Sequence, residues 1–411
     1  MSQVARNTFS QLESLFRRRQ VGVKFSLEGM LRLCAALDHP EKDLHFVHIA
    51  GTNGKGSVAA MCNAIFQEAG FRTGLYTSPH LWRYHERFRI NGEEIEDDAL
   101  EKWLDRLMRV ANGATFFEIS TALALGYFRE RQVQMVLWET GMGGRLDATN
   151  VVTPLVSVIT PIGLEHMQFL GNTLAEITRE KTGIIKPFVP VVTSFSQVEE
   201  VFIILKRKAD EQKAPLNIVG EADLYEFEPP LMGEHQRWNT ALAVATSRLV
   251  HPLLTSAIIR RGLSRTQWPG RCQLVKRGND LPPILVDGAH NPMGAQVLVQ
   301  EVERCWGRRQ TTLIFGVLAD KAIAEMARIL KDMAAEIFLT PVSSERSADI
   351  SELSRQFPKG RVFPSLVEAL SVADASQRPI VIAGSLFLAA EALLLLSGKS
   401  RRLHPNEQLH F

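Results

Sequence analysis

The sequence is short of cysteine, of net charge and of long apolar runs, and each shortage removes a class of protein. Its four cysteines (Cys34, Cys62, Cys272 and Cys305) lie far apart. No pair has the close spacing of a zinc site or suggests a disulfide framework. They read as reduced, mostly buried thiols, the usage expected of a cytoplasmic protein. Lys and Arg total 47 against 45 Asp and Glu, a formal net charge of +2, so no basic field points to nucleic acid. The short Arg17–Arg19 run follows an amphipathic stretch, Phe9–Phe16, and reads as a solvated helix end. The longest apolar run, Leu386–Leu396, is broken by Glu391 and falls far short of the ~20 residues that cross a bilayer. It reads as a core helix, and no membrane partner is expected. Arg6, Asn7, Gln11 and Glu13 stand where a secretory leader needs an unbroken apolar run, so export is not expected.

What remains is a soluble composition, 45% hydrophobic and 22% charged, in a chain of 411 residues, long enough for two cores. The pattern is strand, loop, helix, repeated. His45–Ala50 runs into a Gly-rich turn, and Val58–Ala69 then has helical spacing up to Gly70. Further β-rich runs are Thr73–Tyr76, Met135–Glu139, Leu155–Thr160 and Val189–Thr193, with helical segments between most of them, including Leu100–Val110 and Ile119–Glu130. The stretch Asn217–Gly233 has less regular pattern, and a helix is expected over His235–Val250. Strands resume at Ile284–Val286, Thr312–Phe315, Glu336–Leu339 and Ile380–Ala383. Such alternation predicts α/β architecture with parallel sheets covered on both faces. The expected division is an N-terminal doubly wound domain, residues 1–265, and a smaller Rossmann-like α/β domain, residues 266–411, meeting at a ligand cleft.

The strongest local signal is Gly51-Thr52-Asn53-Gly54-Lys55-Gly56-Ser57, between a strand and a helix. Glycines let backbone N–H groups turn toward phosphate oxygens, and the helix N-terminus adds favourable partial charge. Lys55 is expected to reach the β- and γ-phosphates of ATP, with the Ser57 hydroxyl toward Mg²⁺. The loop departs from the usual pattern, since Gly56 separates lysine from hydroxyl and Ile49 stands where the first glycine is expected.

Glu139 closes a predicted strand, at the sheet edge where ligands bind. It is a candidate Mg²⁺ ligand, although taken alone it reads equally well as structural. A neighbouring strand runs into Pro161-Ile-Gly-Leu-Glu-His166, which brings His166 to the same edge; a lone loop histidine is more often a satisfied surface residue. Lys181, beside Glu180 on a helix, reads by itself as a solvated lysine.

Taken in order, several motifs are more specific. They are the glycine–lysine loop, Tyr76-Thr-Ser78-Pro-His80-Leu81, Gly143-Gly-Arg-Leu-Asp-Ala-Thr-Asn150, Glu180-Lys-Thr-Gly-Ile-Ile-Lys186 and Asp287-Gly-Ala-His-Asn-Pro292. Together they resemble the folylpolyglutamate synthase and dihydrofolate synthase family, a branch of the Mur-type amide ligases. The likeness runs from about Leu27 to the Gly384-Ser385-Leu386 turn. It implies that Ser78, Glu139 and His166 hold the metal and that Lys181 is carbamylated, turning a cation into an anion that supports Mg²⁺. It assigns the pterin-bearing substrate to Thr115, Phe116, Phe117 and Glu118 and to Leu146, Asp147 and Ala148. Nucleotide contacts fall to Asn53, Gly54, Lys55, Gly56 and Ser57 of the loop, and to Gln236, Asn239, Arg271 and Asp287. The departures are Glu165 where the family usually has Asp, Thr182 where Ala is usual, and Gly29 in place of a frequent Arg.

The implied reaction activates a carboxylate of folate or dihydropteroate by transfer of the ATP γ-phosphoryl group, after which the amine of L-glutamate attacks the acyl phosphate. His290 is expected to position the amine or the acyl phosphate, with general base as the alternative role. Ser385 either binds a glutamate carboxylate at a helix N-terminus or acts as an ordinary N-cap. Closure between domains is expected to complete the site, and the chain is expected to act as a monomer. The nearest rival is a Mur-type ligase of cell-wall precursors. Against it stand Lys-Gly-Ser in place of Lys-Thr-Thr and the absence of room for a UDP-binding domain before residue 45. A second rival is a regulatory nucleotide-binding module that binds ATP without turnover.

Overall fold

The computed structural model describes residues 12, 14–16, 18, 26–278 and 281–398. Arg17 and Arg19 of the basic run, residues 9–11 and 13 of the stretch before it, and Arg6 and Asn7 lie outside the described residues.

Two α/β domains are present, each built on a sheet. The first sheet has eight strands: β1 (Phe46–Ala50), β2 (Thr73–Tyr76), β3 (Phe88–Ile90), β4 (Glu93–Glu94), β5 (Met135–Glu139), β6 (Val156–Ile159), β7 (Val191–Ser194) and β8 (Leu216–Val219). Their spatial order is β4-β3-β2-β5-β1-β6-β7-β8, parallel from β2 to β8, with β3 and β4 antiparallel at one edge. The central strands are buried along their whole length, β1 at all five residues, as expected of strands covered on both faces. The second sheet has six: β9 (Gln273–Val275), β10 (Ile284–Val286), β11 (Thr312–Phe315), β12 (Glu336–Leu339), β13 (Arg361–Val362) and β14 (Ile380–Ala383). Its order is β13-β12-β11-β14-β10-β9, with only β9 antiparallel.

Six helices carry the residues of interest: α1 (Lys55–Glu68), α2 (Phe116–Glu130), α3 (Leu174–Lys181), α4 (His235–Val250), α5 (Pro292–Trp306) and α6 (Leu386–Leu396). The expected strands over 135–139, 284–286, 312–315, 336–339 and 380–383 form as read. So does the helix over 386–396, buried on most of its length against the second sheet. Three helices begin three residues earlier than expected: α1 with the polar Lys55-Gly-Ser turn, the helix Asp97–Val110 with its acidic first turn, and α2 with Phe116-Phe-Glu behind the Thr115 cap. The poorly patterned stretch after Asn217 contains the end of β8, an edge strand with three partly exposed residues, which blurs the alternation.

In the first sheet β1 lies between β5 and β6, so the chain leaves its carboxyl end at a point where the strand order reverses. Ligands of open α/β sheets bind at such switch points. The loops after β1, β5 and β6 converge there.

Candidate active site

A single cavity of about 710 Å³ opens at that switch point and extends to the carboxyl ends of β10, β11 and β14 in the second sheet. All the residues singled out from the sequence line it, from Asn53 to Ser385.

Its floor is the loop after β1. Gly54 takes φ 91°, and a Cβ there would stand 2.5 Å from Asn239 Oδ1, so only glycine allows α4 to approach the loop. The N–H groups of Thr52 and Asn53 both donate to Pro161 O, at 3.0 and 3.3 Å. The amides left for an anion are therefore those of the first turn of α1, where the helix dipole favours negative charge. Lys55 Nζ donates to Gly51 O at 3.2 Å and Thr52 O at 3.1 Å, poised over the loop, and Ser57 is buried in the first turn.

The loops after β5 and β6 add the anionic side. Glu139 is buried, and its Oε2 accepts the Ser78 N–H at 3.1 Å. Burial raises its pKa, opposed by nearby Lys55 and by that hydrogen bond. His166 holds a left-handed φ of 51°. Burial pulls its pKa down to about 4, so the ring is neutral with a free lone pair at neutral pH. Lys181 ends α3, is 2% exposed, and donates to Gly51 O at 2.6 Å. Burial first, and the charge of Lys55 second, lower its pKa to about 7. It is not the solvated lysine that its sequence neighbourhood suggests.

Among the described residues, no trio of His, Cys, Asp and Glu is close enough to hold an ion alone. One carboxylate, one imidazole and the serine hydroxyls of Ser78 and Ser57 still fit Mg²⁺ beside a nucleotide, because that ion takes few protein ligands and completes its octahedron with phosphate oxygens and water.

A second arm of the cavity is aromatic. Phe116 and Phe117 open α2, and the Arg87 guanidinium lies 5.3 Å from the Phe116 ring centroid while its Nε donates to His80 Nδ1 at 2.9 Å. Thr115 and Glu118 form a capping box: Thr115 Oγ1 accepts the Glu118 N–H at 3.2 Å and Glu118 Oε2 accepts the Thr115 N–H at 2.7 Å. Among the described residues Glu118 Oε1 has no hydrogen-bond partner, and it lies buried against Gly29. Asp147 accepts N–H bonds from Met142 and Thr149, at 2.8 and 3.0 Å, which sets the turn holding Leu146 and Ala148 at the wall.

On α4, Asn239 Nδ2 donates to Gln236 Oε1 at 2.9 Å; both are buried side chains rather than the helix surface. Asp287 accepts the N–H groups of Cys272 and Ala289, each at 2.7 Å, so it braces the turn beneath His290. Arg271 donates to the neighbouring Gly270 carbonyl and lines the same wall. Ser385 Oγ accepts the Leu388 N–H at 3.0 Å and is the N-cap of α6. The structure also brings in residues the sequence reading passed over: Asn291, and a charged group of Asp320, Lys321 and Arg346 in which Arg346 bridges Asp320 at 2.8 Å. Asp320 and Lys321 follow β11, and the strand-end rule that found Glu139 was available to find them.

Comparison with known proteins accords with this geometry. Residues 49–194 match the Mur ligase middle domain, and residues 270–386 match the Mur ligase glutamate ligase domain. The class is therefore that of the ATP-dependent amino-acid ligases. A folylpolyglutamate synthase of Lacticaseibacillus casei is 36% identical, over 90% of this chain and 94% of its own length. A dihydrofolate synthase/folylpolyglutamate synthase of Bacillus subtilis is 33% identical, over 91% and 95%. With such relatives, the chain belongs to the folylpolyglutamate synthase and dihydrofolate synthase family. Among solved structures, E. coli FolC in complex with DHPP and ADP superposes with a TM-score of 0.87 at 28% identity, covering 97% of this chain and 99% of that one. Mycobacterium tuberculosis folylpolyglutamate synthase complexed with ADP gives 0.85 at 28% identity, covering 96% and 100%.

Proposed function

We propose that the protein joins L-glutamate to dihydropteroate, to the glutamate tail of folates, or to both, through an acyl phosphate made with ATP. The observation that carries the reading is the continuity of one cavity from the glycine–lysine loop, past Glu139, to an aromatic arm on one side and to His290, Lys321 and Arg346 on the other. Triphosphate, a flat acid and a dianionic amino acid thus each have a complementary wall.

A carboxylate resists amine attack because oxide would have to leave. Lys55 and the first-turn amides of α1 hold the triphosphate and offset charge on the transferring phosphoryl oxygens. Ser78, Glu139, His166 and Ser57 would hold Mg²⁺, which supplies further neutralisation of phosphate charge when bound. Lys181 has the lowered pKa that carbamylation requires, since only the neutral amine attacks CO₂. Phe116, Phe117 and the turn at Asp147 orient the pterin, and the Thr115–Glu118 capping box fixes the start of the helix that carries the two rings. Gln236, Asn239 and Arg271 flank the nucleotide. Lys321 and Arg346 face the carboxylates of incoming glutamate, and His290 seats its amine against the acyl phosphate.

The same reading takes the protein as a cytoplasmic monomer that requires Mg²⁺ and divides near residue 265; its four cysteines are free thiols. Among the described residues no helix is long and apolar enough to cross a membrane. The test is to incubate the protein with ATP, magnesium and glutamate, adding either dihydropteroate or tetrahydrofolate, and to weigh the products. A mass gain of one or more glutamyl units with matching ADP release is expected. ATP consumption without a heavier pterin conjugate overturns the proposal.

A further inference from the structure

The phosphate loop and the loop carrying His166 both dock on one short stretch of the second domain. Asn53 and Asn291 exchange two side-chain hydrogen bonds: Asn53 Nδ2 donates to Asn291 Oδ1 at 3.2 Å, and Asn291 Nδ2 donates to Asn53 Oδ1 at 3.0 Å. Asn291 is also the N-cap of α5, its Oδ1 accepting the Gly294 N–H at 2.8 Å. The cap of a second-domain helix is therefore tied to a residue of the ATP loop.

One residue earlier, His290 directs Nδ1 at Gly288 O, 2.8 Å away, and Nε2 at Glu165 Oε1, 3.3 Å away. The two contacts fix the ring plane, with Nδ1 toward Gly288 and Nε2 toward Glu165. Two residues further on, the Met293 methyl packs on Gly163, where any Cβ would collide with it. Within the first domain, Thr52 Oγ1 donates to Gly163 O and accepts the Gly163 N–H, both at 3.0 Å. The two loops therefore move as one, and residues 290–293 meet them at three points.

We propose that this stretch is an interdomain clasp, in which Asn291 and Glu165 are positioning residues that seat His290 over the reacting atoms only when the domains are shut. Neither residue need touch substrate. Each clasp bond is replaced by a bond to water when the domains part, so the clasp is reversible within a catalytic cycle. It lies on the ATP loop and the metal-side loop, apart from a second contact between the domains, where Trp82 Nε1 donates to Ala390 O at 3.0 Å. The clasp deepens the ligase reading, and its kinetic consequence rests on that reading.

Two variants separate positioning from folding. Asn291→Ser keeps a capping oxygen for α5 but is too short to reach Asn53. Glu165→Gln keeps the size and removes the charge. Each is expected to lower kcat about tenfold while KM for ATP stays within about twofold and the melting temperature is unchanged. The double variant is expected to lose no more than the worse single one, since both release one device. Glu165→Asp, which keeps a carboxylate, is expected to recover part of the rate. Unchanged kcat in both single variants, effects that multiply in full, or a kcat loss matched by a lower melting temperature overturns the proposal. Small-angle scattering with a non-hydrolysable ATP analogue gives a readout that needs no turnover. The double variant is expected to have a larger radius of gyration than the wild type, and identical curves overturn the clasp. A wild type that ligates nothing while this difference persists would remove the ligase reading and leave the clasp standing.

Discussion

The two walls of the cleft hold charge in different ways. On the first-domain wall, Glu139 and Lys181 are 4% and 2% exposed, and Asp147 is buried with them. On the second-domain wall Asp287 and Ser385 are buried as well, but the His290 and Arg346 side chains at its outer end are 25% and 34% exposed. Electrostatic help to a phosphoryl group is worth most where water is excluded and the groups need not reorganise. Capturing a soluble amino acid needs the reverse, a wall that stays open until the substrate is in. On the proposed reading, the enclosed wall activates the acid and the open wall receives the amino acid.

That contrast can be broken most directly on the enclosed wall. Lys55→Met or Glu139→Ala is expected to lower turnover on the order of 10³-fold, read as ADP release in the presence of both substrates; a loss under tenfold would show that the enclosed charges are bystanders. Next comes Lys181→Ala, with a loss of about 10²-fold and partial return of activity on adding a short-chain carboxylic acid. Full activity without the acid would remove the carbamate from the mechanism. The open wall should respond differently. Lys321→Met is expected to raise KM for glutamate about tenfold and to leave ATP affinity alone. An equal effect on both substrates would erase the distinction between the walls.

The sequence was most legible where one element determines the outcome. Buried parallel strands such as Val136 to Trp138 and Leu285 read as apolar runs because both faces are covered. The phosphate loop was legible because glycine and lysine at a strand–helix junction have a local cause. Edge elements were lost: β3, β4, β9 and β13 are two or three residues long, and β8 is half-exposed, so neither length nor alternation marks them. Lys181 taken alone reads as solvated because its hydrogen-bond partner Gly51 and its charged neighbour Lys55 are more than a hundred residues away in sequence. Asn291 reads locally as the N-cap of α5, but its bond to Asn53, like that of Glu165 to His290, appears only when the two domains are brought together. Thr115 and Glu118 illustrate overlap: the residues that the resemblance assigns to substrate are also a capping box, visible as Thr-x-x-Glu.

The smallest expected effect concerns the enclosed wall in its unmodified state. Lys181 has a pKa of about 7 in the folded protein against an ordinary 10.5. Between those values the unfolded chain carries a proton on this amine that the folded chain does not. Stability therefore rises with pH across that window, and this group contributes no slope below about pH 7, where both states are protonated. In CO₂-free, chelated buffer, the wild type should gain a few degrees of melting temperature relative to Lys181→Met between pH 7 and 9, an order of magnitude set by the size of the chain. Parallel melting curves for the two proteins would mean that the amine is not held neutral by its surroundings. The enclosed wall would then owe its chemistry to Lys55 and Glu139 alone.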